Sequence, residues 1–230
     1  MAYLFNGNTV NTGVSANTLT VVGSPSFTSV AGLPSVFFNN PNKASSVSDN
    51  YYIATTSYNI PMTISVWIYT DLSYYMTVLG LRGHTAGSSI IHGIQLDITI
   101  SGEVGMHCAL PTPWTYVFSP GGTLKPNTWT HIVITITSSY TATLYVNSVS
   151  MGSGTGSANL PGYTYLVIGS TSYDERGYHG YIRDLRMYSR ALFTSEISSV
   201  YTSGRKYSVF YIHTLCIPLI ETQLLRKQYC

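Results

Sequence analysis

The sequence predicts an all-β protein, with two antiparallel sheets stacked as a sandwich and one short helix near the C-terminal end. Two observations support this prediction. Segments in which apolar and polar residues alternate follow one another along the chain, and glycine- and proline-rich turns separate them. The chain also lacks a repeat of 20–50 residues and any regular alternation of strand and helix, which argues against a parallel sheet.

The strongest strand signal is the segment 62–69, in which Met62, Ile64, Val66 and Ile68 alternate with polar or aromatic residues. Three further segments continue the pattern: Ile91–Ile100, Trp129–Ile136 and Thr141–Val146. The last two are separated by a short polar turn and are predicted to form a hairpin. We expect the core to include Trp67, Trp129, Val133 and Leu144.

Two other segments give local predictions. Met151–Ala158 contains three glycines in eight residues, which is typical of a surface loop. Residues 194–201 carry the helical signal of the chain. Thr194 is the expected N-cap, and Ile197, Val200 and Tyr201 fall on one helical face at spacings of three and four residues.

The composition is low in charge. Of the 230 residues only 9% are Asp, Glu, Lys or Arg, whereas about 25% is usual for a soluble domain. The chain has 20 tyrosines and a formal net charge of +2 without a basic run, which argues against a nucleic-acid partner. Little like-charge repulsion separates neighbouring copies, so the composition favours a subunit of an assembly or a carbohydrate binder.

The cysteines and the N-terminal residues bear on the cellular location. Cys108, Cys216 and Cys230 are odd in number and widely spaced, which is typical neither of a disulfide framework nor of a zinc site. Met1 is not followed by a signal-peptide pattern, and no N-glycosylation sequon occurs. The longest apolar stretch, residues 207–220, is too short to span a bilayer. We therefore expect a cytoplasmically made assembly or a virion, and an extracellular surface remains an alternative.

Six segments in order resemble the laminin-G-like jelly-roll family of concanavalin type. The resemblance covers residues 1–204, and its segments are Phe5–Asn8, Thr63–Ile68, Asn127–Ile132, Leu144–Asn147, Gly180–Leu192, and Glu196–Ile197 with Tyr201. It implies two stacked antiparallel sheets whose first and last strands pair. The roles that it implies are glycan binding, adhesion between proteins, and structural work in cell-surface, viral and phage proteins.

The chain departs from this family in two places. The family often has two acidic residues after the isoleucine of its late strand, and here Arg183 and Asp184 stand there. Residues 205–230 form a C-terminal extension that the family does not require. Its segment 207–215 reads as an extra strand that either covers its own sandwich or adds to the sheet of a neighbouring molecule.

No catalytic residues are predicted. Glucanases of this fold carry carboxylates on alternate residues of one strand, and no strand here has two acids at that spacing. His131 lies in a strand where the family often has histidine, and we interpret it as a packed, hydrogen-bonded core residue. No cofactor is expected. Asp184 is the one candidate ligand for a structural calcium, which the neighbouring Arg183 disfavours.

Aromatic residues in or beside the predicted loops are the candidates for ligand binding, because their rings can stack on sugar faces. These candidates are Trp114, Tyr116, Tyr173 and Tyr178. The first functional hypothesis is a non-enzymatic structural or surface-assembly protein, such as a component of a virus or phage particle. The alternative is a carbohydrate-binding lectin module, and a glycan-active enzyme ranks third. The expected partners are glycans or other protein subunits, with an oligomer or larger assembly left open.

Overall fold

The computed structural model describes residues 2–3, 19–40, 51–84, 90–108, 115–155, 163–170 and 176–205, which form strands and one helix. The strands are β1 Ala2–Tyr3, β2 Thr20–Val22, β3 Ser26–Val30, β4 Leu33–Asn39, β5 Tyr51–Tyr58, β6 Met62–Tyr69, β7 Met76–His84, β8 Ile90–Ile98, β9 Val104–Cys108, β10 Thr115–Phe118, β11 Thr130–Ile136, β12 Thr141–Val146, β13 Val149–Thr155, β14 Tyr163–Ile168 and β15 His179–Tyr188. The helix, α1, spans residues 194–205.

The strands form two antiparallel sheets, as predicted. Sheet A has eight strands in the order β13-β12-β11-β6-β15-β4-β3, and β1 pairs with β15 beside this path. Sheet B has seven strands in the order β10-β9-β8-β7-β14-β5-β2. The pairing of Ala2 with Arg186 joins the first described strand to the last, which is the arrangement that the family resemblance implied.

The core lies between the two sheets and is built from the inward positions of each strand. Met62, Ile64, Val66 and Ile68 all face it, which confirms the alternation predicted for β6. The other face of β6 is buried too, because α1 packs against that side of sheet A. Trp67, Val133 and Leu144 are buried as expected.

Trp129 differs from the expectation that it belongs to the core. It lies one residue before β11 and is only half-buried, because its side chain is on the outer face of sheet A and not between the two sheets. Its indole lies on the outer face of sheet A, where it contacts Tyr69 with ring centroids 5.6 Å apart. Its Nε1 donates a hydrogen bond of 3.4 Å to the carbonyl of Val30.

The hairpin of β11 and β12 is confirmed, and Ile134 pairs with Leu144 at its centre. The prediction of a loop at Met151–Ala158 is wrong over residues 151–155, which belong to β13. This strand pairs on one side with β12, and its register shifts at Leu144 and Tyr145. Glycines are tolerated there because an edge strand with a bulge needs few packed side chains.

Helix α1 is confirmed, but its cap differs from the prediction. Thr194 is the first helical residue, and Phe193 is the N-cap, because its carbonyl accepts the first helical hydrogen bond, from the N–H of Ile197. The Glu196 carboxylate accepts the N–H of Phe193 at 2.9 Å, which completes half of a capping box. Ile197 is fully buried and packs with Val133 on the outer face of sheet A.

α1 is the one helix in the described part of the chain, and neither its length nor its apolarity suits it to cross a membrane.

Candidate functional site

The outer face of sheet B brings together polar and aromatic side chains from four consecutive strands. In β8 the residues Ile94, Leu96 and Ile98 face the core, so Gln95 and Asp97 between them point outward. The same alternation turns outward Thr77 of β7, His107 of β9, and Tyr116 and Phe118 of β10. With Tyr75 and Arg176, these residues form a cluster that we call the Asp97 surface.

Asp97 is the centre of this surface. Its side chain has no exposed area, and its two carboxylate oxygens accept several hydrogen bonds. Thr77 Oγ1 donates to Oδ1 at 2.5 Å, and Tyr75 OH donates to Oδ2 at 2.9 Å. Gln95 Nε2 lies 3.0 Å from both oxygens. A buried carboxylate is stable only with such partners, so the network fixes each donor in one orientation.

Two basic groups complete the network. His107 Nε2 lies 3.2 Å from Asp97 Oδ2, and Arg176 Nη1 lies 3.9 Å from the same oxygen. Arg176 reaches this point because its carbonyl accepts a hydrogen bond from the N–H of Thr77 at 2.8 Å. Its guanidinium also lies over the ring of Tyr75, 5.0 Å from the centroid. The arginine is therefore held by a backbone hydrogen bond, a carboxylate and a ring.

Tyr75 is held in its protonated form by the same environment. Burial, and then the neighbouring Asp97 carboxylate, raise the pKa of the phenol above its ordinary value. The hydroxyl consequently keeps its proton at any physiological pH and remains a donor to Asp97.

Tyr116 and Phe118 form the exposed aromatic edge of the surface. Their exposed fractions are 54% and 41%, so both rings are available to a partner. Both rings meet the imidazole of His107 edge to face, at centroid distances of 4.8 and 5.4 Å. Phe118 lies directly over Gly105, where an added Cβ would collide with the ring. Tyr116, predicted as a ligand-binding residue, thus lies on the surface beside a polar network.

Tyr178, also predicted to bind a ligand, is placed elsewhere. It is fully buried, and its ring packs edge to face with Phe38 in the core. Its hydroxyl donates to the carbonyl of Tyr69 at 3.1 Å, and its N–H donates to the carbonyl of Gly169 at 2.8 Å. The backbone bond draws this residue inward from the charged segment that precedes it. Tyr178 is therefore a core residue and offers no ring to a ligand.

The other two aromatic candidates, Trp114 and Tyr173, lie outside the described residues. In the sequence, Trp114 immediately precedes β10 and Tyr173 lies three residues before Arg176.

Asp184, the candidate calcium ligand, is buried and already bonded. Arg186 Nε and Nη2 donate to its two oxygens at 2.6 and 2.9 Å. A β-bulge between Arg183 and Arg186 makes this possible, with Asp184 at a φ of 49°. A cation would have to displace the guanidinium of Arg186. Among the described residues, no three His, Cys, Asp or Glu side chains are grouped so that they could hold a metal.

His131 is a packed, hydrogen-bonded core histidine, as predicted. It is fully buried on the outer side of sheet A, and its Nε2 lies 2.8 Å from Ser65 Oγ. The imidazole packs against the rings of both Trp67 and Tyr201, with centroids 5.0 and 5.8 Å away. Burial, followed by the charges of Arg186 and Arg183, lowers its pKa to about 3. The side chain is neutral at physiological pH.

Of the Asp97 surface, the sequence pointed to Tyr116 as a stacking candidate and to Arg176 as a residue that could hydrogen-bond sugar hydroxyls, and it missed Tyr75, Gln95 and His107. The available signal was the alternation in β8 and β9, which turns Gln95, Asp97 and His107 outward. The order of the strands, which brings these residues together, is not contained in that alternation.

A family model described as the concanavalin A-like lectin/glucanases superfamily, of laminin G type, matches residues 43–198. The chain belongs to this superfamily. No curated protein sequence matches the chain.

Solved structures with the same fold include receptor-binding domains of botulinum neurotoxins. The receptor-binding domain of type G superimposes with a TM-score of 0.68 at 14% identity, over 89% of this chain and 51% of that one. The binding domain of serotype D gives a TM-score of 0.66 at 18% identity, over 88% and 51%. A type C structure, titled for the dependence of cell entry on two ganglioside molecules, gives 0.66 at 12% identity, over 88% and 50%. The chain spans about half the length of these structures, and at such identities the likeness shows the fold alone.

Proposed function

We propose that the chain is a glycan-binding domain and that the Asp97 surface is its binding site. The observation that carries the proposal is a buried carboxylate that fixes an amide, an imidazole and a guanidinium beside two exposed rings. Sugars present hydroxyl groups that hydrogen-bond to such polar groups, and C–H faces that pack on aromatic rings. Because the network holds its polar groups in place, little side-chain entropy is lost on binding.

Two comparisons support this ligand class. The superfamily to which the chain belongs is named for lectins as well as glucanases. One neighbour of the same fold is titled for its interaction with gangliosides, which are glycan-bearing lipids. The assembly role that the sequence placed first rests on the low charge, the lack of a signal-peptide pattern and of sequons, and the C-terminal extension, and no specific contact among the described residues favours it.

We further propose that the surface binds glycans without hydrolysing them. Retaining glycosidases use two carboxyl groups about 5–5.5 Å apart, one as nucleophile and one as acid and base. Asp97 is the one acid of the Asp97 surface, and its two oxygens are occupied by donors of the protein. Incubation with β-glucans and common glycosides should release no reducing sugar. Turnover that Asp97→Asn abolishes would contradict this proposal.

The binding proposal is tested by screening the 230-residue chain on an array of neutral and sialylated glycans, followed by calorimetric titration of the strongest binder. Tyr116→Ala should weaken binding by about tenfold, equivalent to about 1.4 kcal/mol, because the ring is exposed and available for stacking. The matched control is Phe193→Ala, which removes another exposed ring, 73% exposed, beside α1.

Two results would overturn the proposal. Failure of the folded protein to bind any glycan saturably at millimolar concentration would reject the glycan-binding function. If neither Tyr116→Ala nor Phe118→Ala changes glycan binding, while a substitution elsewhere on the protein abolishes it, the glycan-binding function stands and the Asp97 surface is rejected as its site. Light scattering on the same samples would reveal an assembly if the first hypothesis from the sequence is correct.

A further inference from the structure

A row of four aromatic rings crosses the outer face of sheet A. Phe37 of β4 pairs with Tyr181 of β15, which pairs with Tyr69 of β6, and Trp129 follows beside Tyr69. Successive ring centroids lie 4.7, 5.7 and 5.6 Å apart. All four rings are half-buried. We call these residues the aromatic row.

The adjacent row on the same face contains buried polar atoms that lack a partner in the described part of the protein. Arg183, Trp67 and His131 pair across β15, β6 and β11, and Ser35 lies on the neighbouring strand β4. All four side chains are almost completely buried. Ser35 Oγ, Trp67 Nε1, His131 Nδ1 and Arg183 Nε accept or donate no hydrogen bond there. This row is already covered by α1, whose Tyr201 stacks on Trp67 and whose Gly204 lies directly against Trp67 Nε1.

Helix α1 leads the polypeptide to this point. Near its start Ile197 packs on Val133, and one turn later Tyr201 stacks on Trp67, with rings 5.7 Å apart. At its end Gly204 lies directly against Trp67 Nε1, and its carbonyl accepts a hydrogen bond of 3.3 Å from Arg183 Nη2. The helix therefore advances along the sheet from row to row, and the next row beyond its end is the aromatic row.

The sequence after the helix suits this surface. Residues 207–212 read Tyr-Ser-Val-Phe-Tyr-Ile, and 25 residues of the sequence follow Arg205. The aromatic row spans three strand spacings, about 14 Å, and five extended residues cover about 17 Å. Exposure of such an apolar segment to water is unfavourable, and so is exposure of the rings.

We propose that residues 207–212 pack across the aromatic row of their own molecule. The sequence left two placements open for this segment, its own sandwich or the sheet of a neighbour. The direction of α1, which ends beside the aromatic row, favours the first.

The test compares two full-length variants that add the same charge. V209D/F210D places two aspartates in the segment, and L224D/L225D places two aspartates further along the same extension. V209D/F210D should lower the melting temperature by about 5–10 °C and increase acrylamide quenching of tryptophan fluorescence, and L224D/L225D should change neither. Equal effects of the two variants would overturn the proposal.

A double-mutant cycle locates the contact. In a Tyr181→Ala background the effect of V209D/F210D should shrink by at least half, because one of the contacted rings is already absent. Strict additivity would overturn the proposed contact. If the aspartate variant fails to fold while L224D/L225D folds, V209S/F210S provides the milder perturbation for the same cycle.

Light scattering, together with melting temperatures measured over a hundredfold range of protein concentration, distinguishes packing of the segment within one molecule from packing between two molecules. A monomer with a constant melting temperature is expected. A dimer whose melting temperature rises with concentration, and whose dependence V209D/F210D removes, would show that the segment packs on a second copy and would overturn the proposal.

Discussion

The buried imidazole of His131 makes the stability of the protein sensitive to acid. In the folded state its pKa is lowered to about 3, chiefly by burial, and the positive charges of Arg186 and Arg183 act in the same direction. In the unfolded state a histidine has its ordinary pKa of about 6.5. Between these two values only the unfolded state binds the proton, so the contribution of His131 to stability is complete above pH 6.5 and is lost as the pH falls toward 3.

The size of this loss at pH 5 depends on the unfolded state alone, because the folded imidazole is still neutral there. Protonation 1.5 pH units below the unfolded pKa stabilises the unfolded state by about 2 kcal/mol. Against a total unfolding free energy of about 5–15 kcal/mol this is a large fraction.

Urea unfolding at pH 8, 7, 6 and 5, followed by tryptophan fluorescence, measures the effect. His131→Gln keeps a neutral polar group opposite Ser65 and should remove about 2 kcal/mol of the loss between pH 8 and pH 5. His179→Gln is the control, since His179 is half-exposed and lies 3.9 Å from Asp71. If the parent and His131→Gln lose the same free energy of unfolding over this range, the neutral buried imidazole is refuted.

Three further predictions follow from packing, backbone and charge. Trp67→Ala should cost about 3–5 kcal/mol in urea unfolding, and Trp129→Ala clearly less, because Trp67 is 3% exposed and Trp129 half-buried; the reverse order would contradict the packing. Gly102→Ala should destabilise by more than about 1 kcal/mol, because Gly102 has a φ of 73° and its Cβ would strike the carbonyl of Leu124. Gly121→Ala should leave the free energy of unfolding unchanged, because the atom nearest to its added Cβ is 3.8 Å away. If the two substitutions destabilise the protein equally, the argument from strain at Gly102 is refuted. Calcium and chelator should give the same melting temperature; a chelator-induced fall of several degrees that Asp184→Ala removes would show a bound ion.

The elements that the sequence predicted correctly are those with a strong local pattern. Alternation identified β6 and the hairpin of β11 and β12, and the spacing of Ile197, Val200 and Tyr201 identified α1. The predictions that were wrong concern residues whose burial depends on tertiary contacts. Tyr178 follows a polar, charged segment, yet a backbone hydrogen bond to Gly169 turns it into the core. Trp129 has the residue type of a core position, but it lies just outside the strand.

The Asp97 surface could not have been derived from local pattern. Its polar members come from β7, β8 and β9 and from the segment before β15, so they are separated by up to about a hundred positions in the sequence. The alternation predicts which side chains point away from the core, but it does not predict which strands are neighbours in the sheet. Registers such as Gln95 with His107 and Asp97 with Gly105 are properties of the folded sheet.

The two outer faces of the sandwich differ in a way that bears on ligand choice. The outer face of sheet A is covered by α1, and its unpaired atoms are buried, so it is suited to contacts within the molecule. On the outer face of sheet B the charges of Asp97 and Arg176 offset one another, since the guanidinium lies 3.9 Å from the carboxylate. This face therefore presents a partner with hydrogen-bonding groups in fixed orientations and with little net charge. Binding of a neutral, polyhydroxylated ligand needs fixed hydrogen-bonding groups and exposed rings, whereas a polyanion needs unpaired cations. A protein with 9% charged residues can supply the first without the second, so if the Asp97 surface binds a neutral glycan as proposed, salt should have little effect on the affinity.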